Sequence, residues 1–237
     1  MMNKKTRNWL IAGVVVIAIV GIGGYTFMKS YLGNKVAIES VVPAQTAAAE
    51  STGAATSAQS ATGSELNGNW AINDKSKVYF SVTTSQETVN FVDNKVSGSW
   101  NVNVDDPSKM TSEGQIDMSA IDSGTAQRDE HVKSADFFDV AQFPNATFKA
   151  TSFENVPKEW VSGATNDFKM TGTLTVKGKE KEVTFDMKGV YQDGQVLLSG
   201  TTKVTFADFG MKNPHSVVLS TQNDINVQLE LVLDKKA

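Results

Sequence analysis

The segment Ser123 to Phe143 reads SGTAQRDEHVKSADFFDVAQF and crowds Arg128, Asp129, His131, Lys133 and Asp136 together just before Phe137 and Phe138. A histidine between carboxylates can act as a general base, or can ligate a metal if further ligands arrive from elsewhere. The chain offers few such ligands, since it has no cysteine and its only other histidine is His215. It also lacks a Gly-x-Ser-x-Gly elbow, a phosphate-cradling Gly-Lys-Ser/Thr loop and a His-Glu-x-x-His pair. No enzymatic activity, cofactor or metal is expected. Two readings of the cluster remain. It is a polar group facing a ligand head group at the mouth of a cavity, or a capped helical lid in which Arg and Asp pair while the two phenylalanines plug the opening. Thr125 and Ser134 suit the N-caps of two short helices, with Asp129 and Asp136 near their first turns.

The elements around this segment are strands. Val96, Gly98, Trp100, Val102 and Val104 alternate with polar residues, and the same period of two runs through 78–82, 168–176, 183–187, 196–206 and 225–233. Ile116-Met118 and the stretch from Thr147 to Phe153 are weaker candidates. Each has one apolar and one polar face, as in a half-buried antiparallel strand. KGKEKE, between Val176 and Val183, supplies a Gly-containing hairpin turn. About eight strands result, and either a sandwich or a closed barrel satisfies the pattern. In a barrel the apolar face lines the interior: Phe80, Trp100, Val102, Met118, Phe148, Met170, Leu174, Phe185, Met187, Val204, Phe206, Leu229 and Leu231. These thirteen form either a cavity wall or a filled core. Gly98, Gly172 and Gly200 share that face, where they relieve crowding or let a strand bend.

The run Arg128-Asp129-Glu130-His131-Val132-Lys133-Ser134-Ala135-Asp136-Phe137-Phe138-Asp139, followed by Phe143-Pro144 and Thr147-Phe148, resembles the YceI-like family of bacterial lipid-binding proteins. Trp70-Ala71-Ile72-Asn73, Ser119-Ala120-Ile121-Asp122, Gly172-Thr173-Leu174-Thr175-Val176-Lys177-Gly178 and Asp208-Phe209-Gly210 extend the resemblance across residues 69–234 in family order. It implies an all-β fold, an eight-stranded antiparallel lipocalin-like barrel with short helices, whose long apolar cavity holds a polyisoprenoid or similar amphiphile. Two positions depart from the family pattern. Phe206 stands where an arginine is common, which removes any head-group contact by that cation, and Val132 stands where leucine is frequent.

Upstream of this domain, Trp9 to Met28 is an apolar run without a charge, long enough to span a bilayer as a helix. Lys4, Lys5 and Arg7 precede it and place residues 1–8 in the cytoplasm and everything after Met28 outside it. A cleaved signal peptide is the alternative, but its apolar core is shorter and the nearest Ala-x-Ala lies far downstream. The expectation is a single-pass signal anchor over 9–28, a flexible Ala/Ser/Thr-rich linker over 29–68 and the barrel over 69–237. A disordered linker of about 40 residues would hold the barrel within roughly 35 Å of the membrane.

The net charge of −4 opposes nucleic-acid binding, and the positive balance is confined to the N-terminal segment. The expected ligand is an isoprenoid-type lipid such as a quinone or polyprenyl carrier, held without covalent chemistry, with the membrane as second partner through the N-terminal helix. The alternative is a filled barrel displayed on a stalk as an interaction or stress-response domain.

Overall fold

The computed structural model describes residues 33–43, 60–214 and 220–236. The expected anchor and the middle of the expected linker lie outside these residues. Among the described residues no helix is long and apolar enough to cross a membrane.

The domain opens with a two-residue strand, β1 (Ser60–Ala61), and one turn of helix, α1 (Gly63–Leu66). Then come β2 (Gly68–Ile72), β3 (Lys77–Thr84), β4 (Thr88–Asp93), β5 (Val96–Val102) and β6 (Thr111–Asp117). The helix α2 (Ala126–Lys133) leads to β7 (Asn145–Glu154) and a short β8 (Trp160–Val161), which pairs with β1. Four long strands complete the domain: β9 (Asn166–Val176), β10 (Lys179–Gln192), β11 (Gln195–Thr205) and β12 (Thr221–Lys235).

All pairings are antiparallel, and the main sheet closes on itself. β12 pairs with β11 along one edge, and along the other with β2 near its C-terminus and β3 near its N-terminus. β2 and β3 are therefore two halves of one stave, as are β4 and β5, and the result is an eight-stave closed barrel. Closure decides between the barrel and the sandwich. It also removes the exposed edges that eight strands would otherwise carry.

Where β2 gives way to β3, the chain turns through 73–76, and the ladder to β12 is kept by the Asn73 N–H, which donates to the Val232 carbonyl at 2.9 Å, together with a side chain. The buried Ser76 hydroxyl accepts from the Val232 N–H at 2.9 Å and donates to the Val232 carbonyl at 3.3 Å. The KGKEKE turn reduces to Lys177-Gly178, with φ of 51° and 68° between the paired Val176 and Lys179. Left-handed φ at both central residues matches the twist of the flanking strands, which makes this a two-residue hairpin.

Several expectations are corrected. The weak candidate at Ile116-Met118 extends backward into β6, which ends at Asp117 just before Met118 opens a 3-10 turn, and whose residues 111–117 look polar because Ser112 and Gly114 take inward positions. β2 and β4 are additional strands, in which Trp70 and Ile72, and Val89 and Phe91, alternate inward over only two positions each. No second helix follows Ser134. That residue instead ends α2, its hydroxyl donating to the His131 carbonyl at 2.7 Å, and consecutive turns carry the chain to Pro144 through Asp139 at φ 50°. Phe137, Phe138 and Val140 pack toward the core from these turns, while Ala135, Asp136, Ala141 and Gln142 stay exposed.

Residues 33–43, expected to be flexible linker, lie as an extended strap on the outside of the barrel. Lys77 pairs with Glu39 at 2.6 Å, and the Glu39 N–H donates to the Tyr79 hydroxyl at 3.4 Å. Tyr79 and Glu230 point outward from their strands yet are buried, because the strap lies over them. The strap differs from the Ala/Ser/Thr-rich stretch that follows it: five of its eleven residues are apolar, Val42 is buried, and its hydrogen bonds go to polar groups of the wall.

At the β4–β5 break the fully buried Asp93 shares the inward face with Val89 and Phe91. One carboxyl oxygen accepts the Lys95 N–H at 2.8 Å and the other has no hydrogen-bond partner. Burial pushes this carboxyl up to about 6 against the pull of the Lys95 N–H, with Asp117 adding to the rise and Lys133 and Lys95 opposing it. The folded protein thus keeps a proton that the unfolded chain releases near pH 4. The resulting stabilisation, about 3 kcal/mol, is complete below the ordinary carboxyl pKa and is lost as the pH rises through about 6. Asp93→Asn keeps the shape and the acceptor for Lys95 without the titration. Its unfolding temperature should be flat between pH 4 and 6.5, where the parent's declines, and should exceed the parent's at pH 7.5. Equal slopes in thermal scans across that range would contradict this account.

Candidate functional site

The barrel interior divides into three levels along its axis. One end is closed by Leu66, Trp70, Val102, Trp160, Phe168 and Leu233, which pack so tightly that a void of only about 20 Å³ remains among their neighbours. The two plugging indoles are satisfied, Trp70 donating to the Leu66 carbonyl at 2.8 Å and Trp160 to the Pro157 carbonyl at 3.1 Å. Buried Trp needs such a partner for its N–H.

The middle level is a cavity of about 130 Å³. Of the thirteen expected wall residues, ten line it: Phe80, Trp100, Met118, Phe148, Met170, Leu174, Phe185, Val204, Leu229 and Leu231. Phe80, Phe148, Leu174 and Leu229 face inward but are only half-buried, in contrast with the fully buried Leu198 and Leu233 nearer the closed end. The exposed area faces the void. The other three sit elsewhere. Val102 belongs to the closed end, and Phe206 lines the mouth. Met187 is buried, and its sulfur occupies the space that the missing side chain of Gly200 leaves. Ile72, Val78, Val96, Val227 and Phe209 also line the central cavity. The first four share the alternation of their expected neighbours and were accessible to that pattern. Phe209 was not, because it enters from a turn outside any strand.

That turn is the Asp-Phe-Gly element. β11 ends at Thr205, and Asp208 accepts the Thr205 N–H at 2.8 Å and pairs with Lys181 at 2.8 Å. The Lys181 ammonium holds the Asp208 carboxyl below the usual carboxylate range. Gly210 takes φ 67° and turns the chain back toward the wall, leaving Phe209 in the core. At Gly172 the constraint is a close approach. A Cβ there would meet the Lys149 carbonyl oxygen and stand 2.8 Å from Ala150 Cα, beside the bulge of β7 at 150–152.

The mouth level is a second cavity of about 150 Å³ under α2, bordered by Thr84, Glu87, Arg128, His131, Phe137 and Phe206. Phe80, Phe138, Met211 and Ile225 border both cavities. The Phe80 ring stacks on Phe91 at 4.5 Å and meets the edge of Phe138 at 5.6 Å, so a small aromatic partition divides the interior.

The charged segment is thus split among different tasks. Arg128 and His131 reach the mouth cavity, and the His131 ring packs on Phe137 at 4.9 Å. Asp129 instead accepts from the Ser123 N–H and hydroxyl at 2.8 and 2.6 Å, which braces the loop before α2. Lys133 and Asp136 border neither cavity. The arrangement around His131 therefore lacks both flanking carboxylates. Among the described residues no group of three His, Asp or Glu could hold a metal ion.

Residues 70–233 match the YceI-like domain family. The chain belongs to that family. The YceI-like match spans all eight staves and the mouth helix. Curated relatives include UPF0312 proteins of Vibrio cholerae, 34% identical over 103 residues (41% of this chain, 51% of the relative), and of Pseudomonas putida, 32% identical over 112 residues (45% and 55%). The chain spans about half the length of these relatives. Among solved structures, BcnA of Burkholderia cenocepacia shares the fold with a TM-score of 0.57 at 20% identity, over 67% of this chain and 96% of that one. A polyisoprenoid binding domain from Saccharophagus degradans superposes with a TM-score of 0.58 at 12% identity, over 70% and 98%. The YceI-like barrel is thus retained at low sequence identity.

The partition sets up opposite effects on stability and uptake. Phe138→Ala should lower the unfolding free energy by about 3 kcal/mol, the lower end for a buried Phe→Ala because the ring is only half-buried. The same change joins the two cavities, so uptake of an apolar reporter dye at equal folded fraction should rise. Urea titration beside a dye-binding isotherm reads both, and a drop in both would show that the ring supports the cavity instead of dividing it.

Proposed function

We propose that this chain is a membrane-tethered, extracytoplasmic lipid-binding protein that holds an isoprenoid-type amphiphile, a quinone or polyprenyl lipid, for sequestration or local transfer. The observation that carries this reading is the central cavity. Its wall is built from inward-facing aliphatic and aromatic side chains that remain half-exposed to a void. A core selected only for stability closes such voids, since each leaves dispersion contacts unmade. An apolar chain entering would gain about 25 cal/mol per Å² of surface removed from water. The Saccharophagus domain, described as polyisoprenoid-binding, has the same fold and lends support to that ligand class.

The size of the voids bears on the mechanism. Each is comparable to an engineered cavity that accepts benzene, about 150 Å³. Neither alone holds a chain of several isoprene units. A long ligand would therefore occupy both, with Phe138 displaced from Phe80 and the tail directed toward Trp100. The mouth is where polar groups gather, so the head group would lie near Arg128 and His131, under the lid that Phe137 and α2 provide. The apolar run Trp9–Met28 would keep the barrel at one bilayer.

Native mass spectrometry of the full chain, extracted from membranes in mild detergent, tests the reading. The expected result is a discrete added mass that extracts as an isoprenoid. A bare protein mass with no uptake of added ubiquinone would refute it. Leu229→Trp fills the central cavity from a half-buried position on β12. It should weaken ubiquinone binding at least tenfold while the unfolding temperature changes little, as read by the ubiquinone-bound fraction in native mass spectrometry beside a thermal scan.

A further inference from the structure

The folded domain begins at the closed end of the barrel, where β1, α1 and β2 stand beside Trp70 and Trp160. A tether attached there would leave the mouth at the end away from the membrane. The strap moves the attachment point to the opposite end. Gly33 donates its N–H to Glu87 at 2.7 Å and accepts from Arg128 at 3.1 Å, and both partners border the mouth cavity. From the mouth the strap descends the outer wall. Asn34 accepts the Asn90 N–H at 3.0 Å, and the Asn90 amide donates to the Val36 carbonyl at 2.8 Å. It ends on Glu230, whose carboxylate accepts from the Ser40 hydroxyl at 3.1 Å and the Val41 N–H at 2.8 Å. The other oxygen of Glu230 accepts from Ser199 at 2.7 Å and Gln228 at 2.6 Å. The strap thus both covers this carboxylate and supplies two of the four donors that replace its water.

The apolar run ends at Met28, five residues before Gly33. Five residues reach at most about 18 Å even fully extended, half the span of a free linker. We propose that the strap fastens the mouth of the barrel to the bilayer surface, so that an isoprenoid passes between membrane and mouth cavity without crossing bulk water. The partner of the mouth is the lipid surface itself. This inference rests on the reading of the barrel as a lipid holder and of residues 9–28 as its anchor.

The test uses two insertions in the full chain. A Gly/Ser insert of about twenty residues between Tyr31 and Leu32 lengthens the connection ahead of the strap. The same insert between Ser51 and Thr52 lengthens it behind. Parent and variants, all carrying Trp9→Phe so that no anchor tryptophan meets ubiquinone in the bilayer, are reconstituted in vesicles of three parts phosphatidylcholine to one part phosphatidylglycerol, and ubiquinone doped into the vesicles is followed by the rate of quenching of the barrel tryptophans. Lengthening the connection from five to about 25 residues lowers the effective concentration of the mouth at the surface about tenfold. The expected result is therefore a roughly tenfold slower rate for the first insert and the parent rate for the second. Equal slowing by both, or by neither, overturns the orientation. Two controls on the parent address the underlying reading separately. If ubiquinone fails to quench in detergent, or the chain fails to sediment with vesicles, the holder-and-anchor reading falls and the orientation falls with it. If both controls succeed, the insert pair judges the orientation alone.

Discussion

Pairing on both edges of β12 is the constraint from which the other features follow. Along its 15 residues this strand meets β11 on one side and the broken stave of β2 and β3 on the other. Once it is seated the sheet has no free main edge, and every alternate side chain is committed to an enclosed volume. At the break in the neighbouring stave the Val232 carbonyl accepts from the Asn73 N–H, and the Ser76 hydroxyl supplies the partner for the Val232 N–H. A backbone group buried without a partner there would cost about as much as a lost hydrogen bond. Closure is thus maintained by a hydroxyl where the ladder is interrupted.

The enclosed volume is filled unevenly, and the unevenness gives the molecule its polarity. Two tryptophans and a cluster of aliphatic residues close one end. The centre is apolar and partly void, and an aromatic partition separates it from a mouth that carries Arg128, His131 and Glu87. A ligand with a long apolar tail and a small polar head fits that gradient in one direction only. The Asp-Phe-Gly turn and the loop before α2 serve it indirectly. In each an aspartate is spent on local donors, Asp208 on Thr205 and Lys181, Asp129 on Ser123, so that an adjacent side chain is aimed inward.

The strap belongs to the same economy of buried polar groups. Glu230 projects from the outer face of β12, where a carboxylate would ordinarily be solvated. Four donors replace the water, two of them from the strap. The outer wall of the barrel therefore holds one passing segment through placed polar groups.

Period two along 168–176, 196–206 and 225–233 determined the strands and their inward faces, because alternation is a property of the extended backbone itself. The same property placed ten of the thirteen expected wall residues on the central cavity. The motif run from Arg128 to Phe148 was legible as family resemblance, and the match over residues 70–233 agrees with it. Local patterns could not say how each charged residue near α2 is used, since Asp129 and Arg128 are neighbours in the chain and face different partners. Trp70 and Ile72 in β2, and Val89 and Phe91 in β4, carry the same alternation in shorter form, whereas Phe209 was beyond local pattern because its position depends on what it plugs. The fate of residues 33–43 is the clearest case. Composition describes what a segment can bury on its own, whereas the strap is held by Glu230, Asn90 and Arg128, which only the closed barrel brings into line.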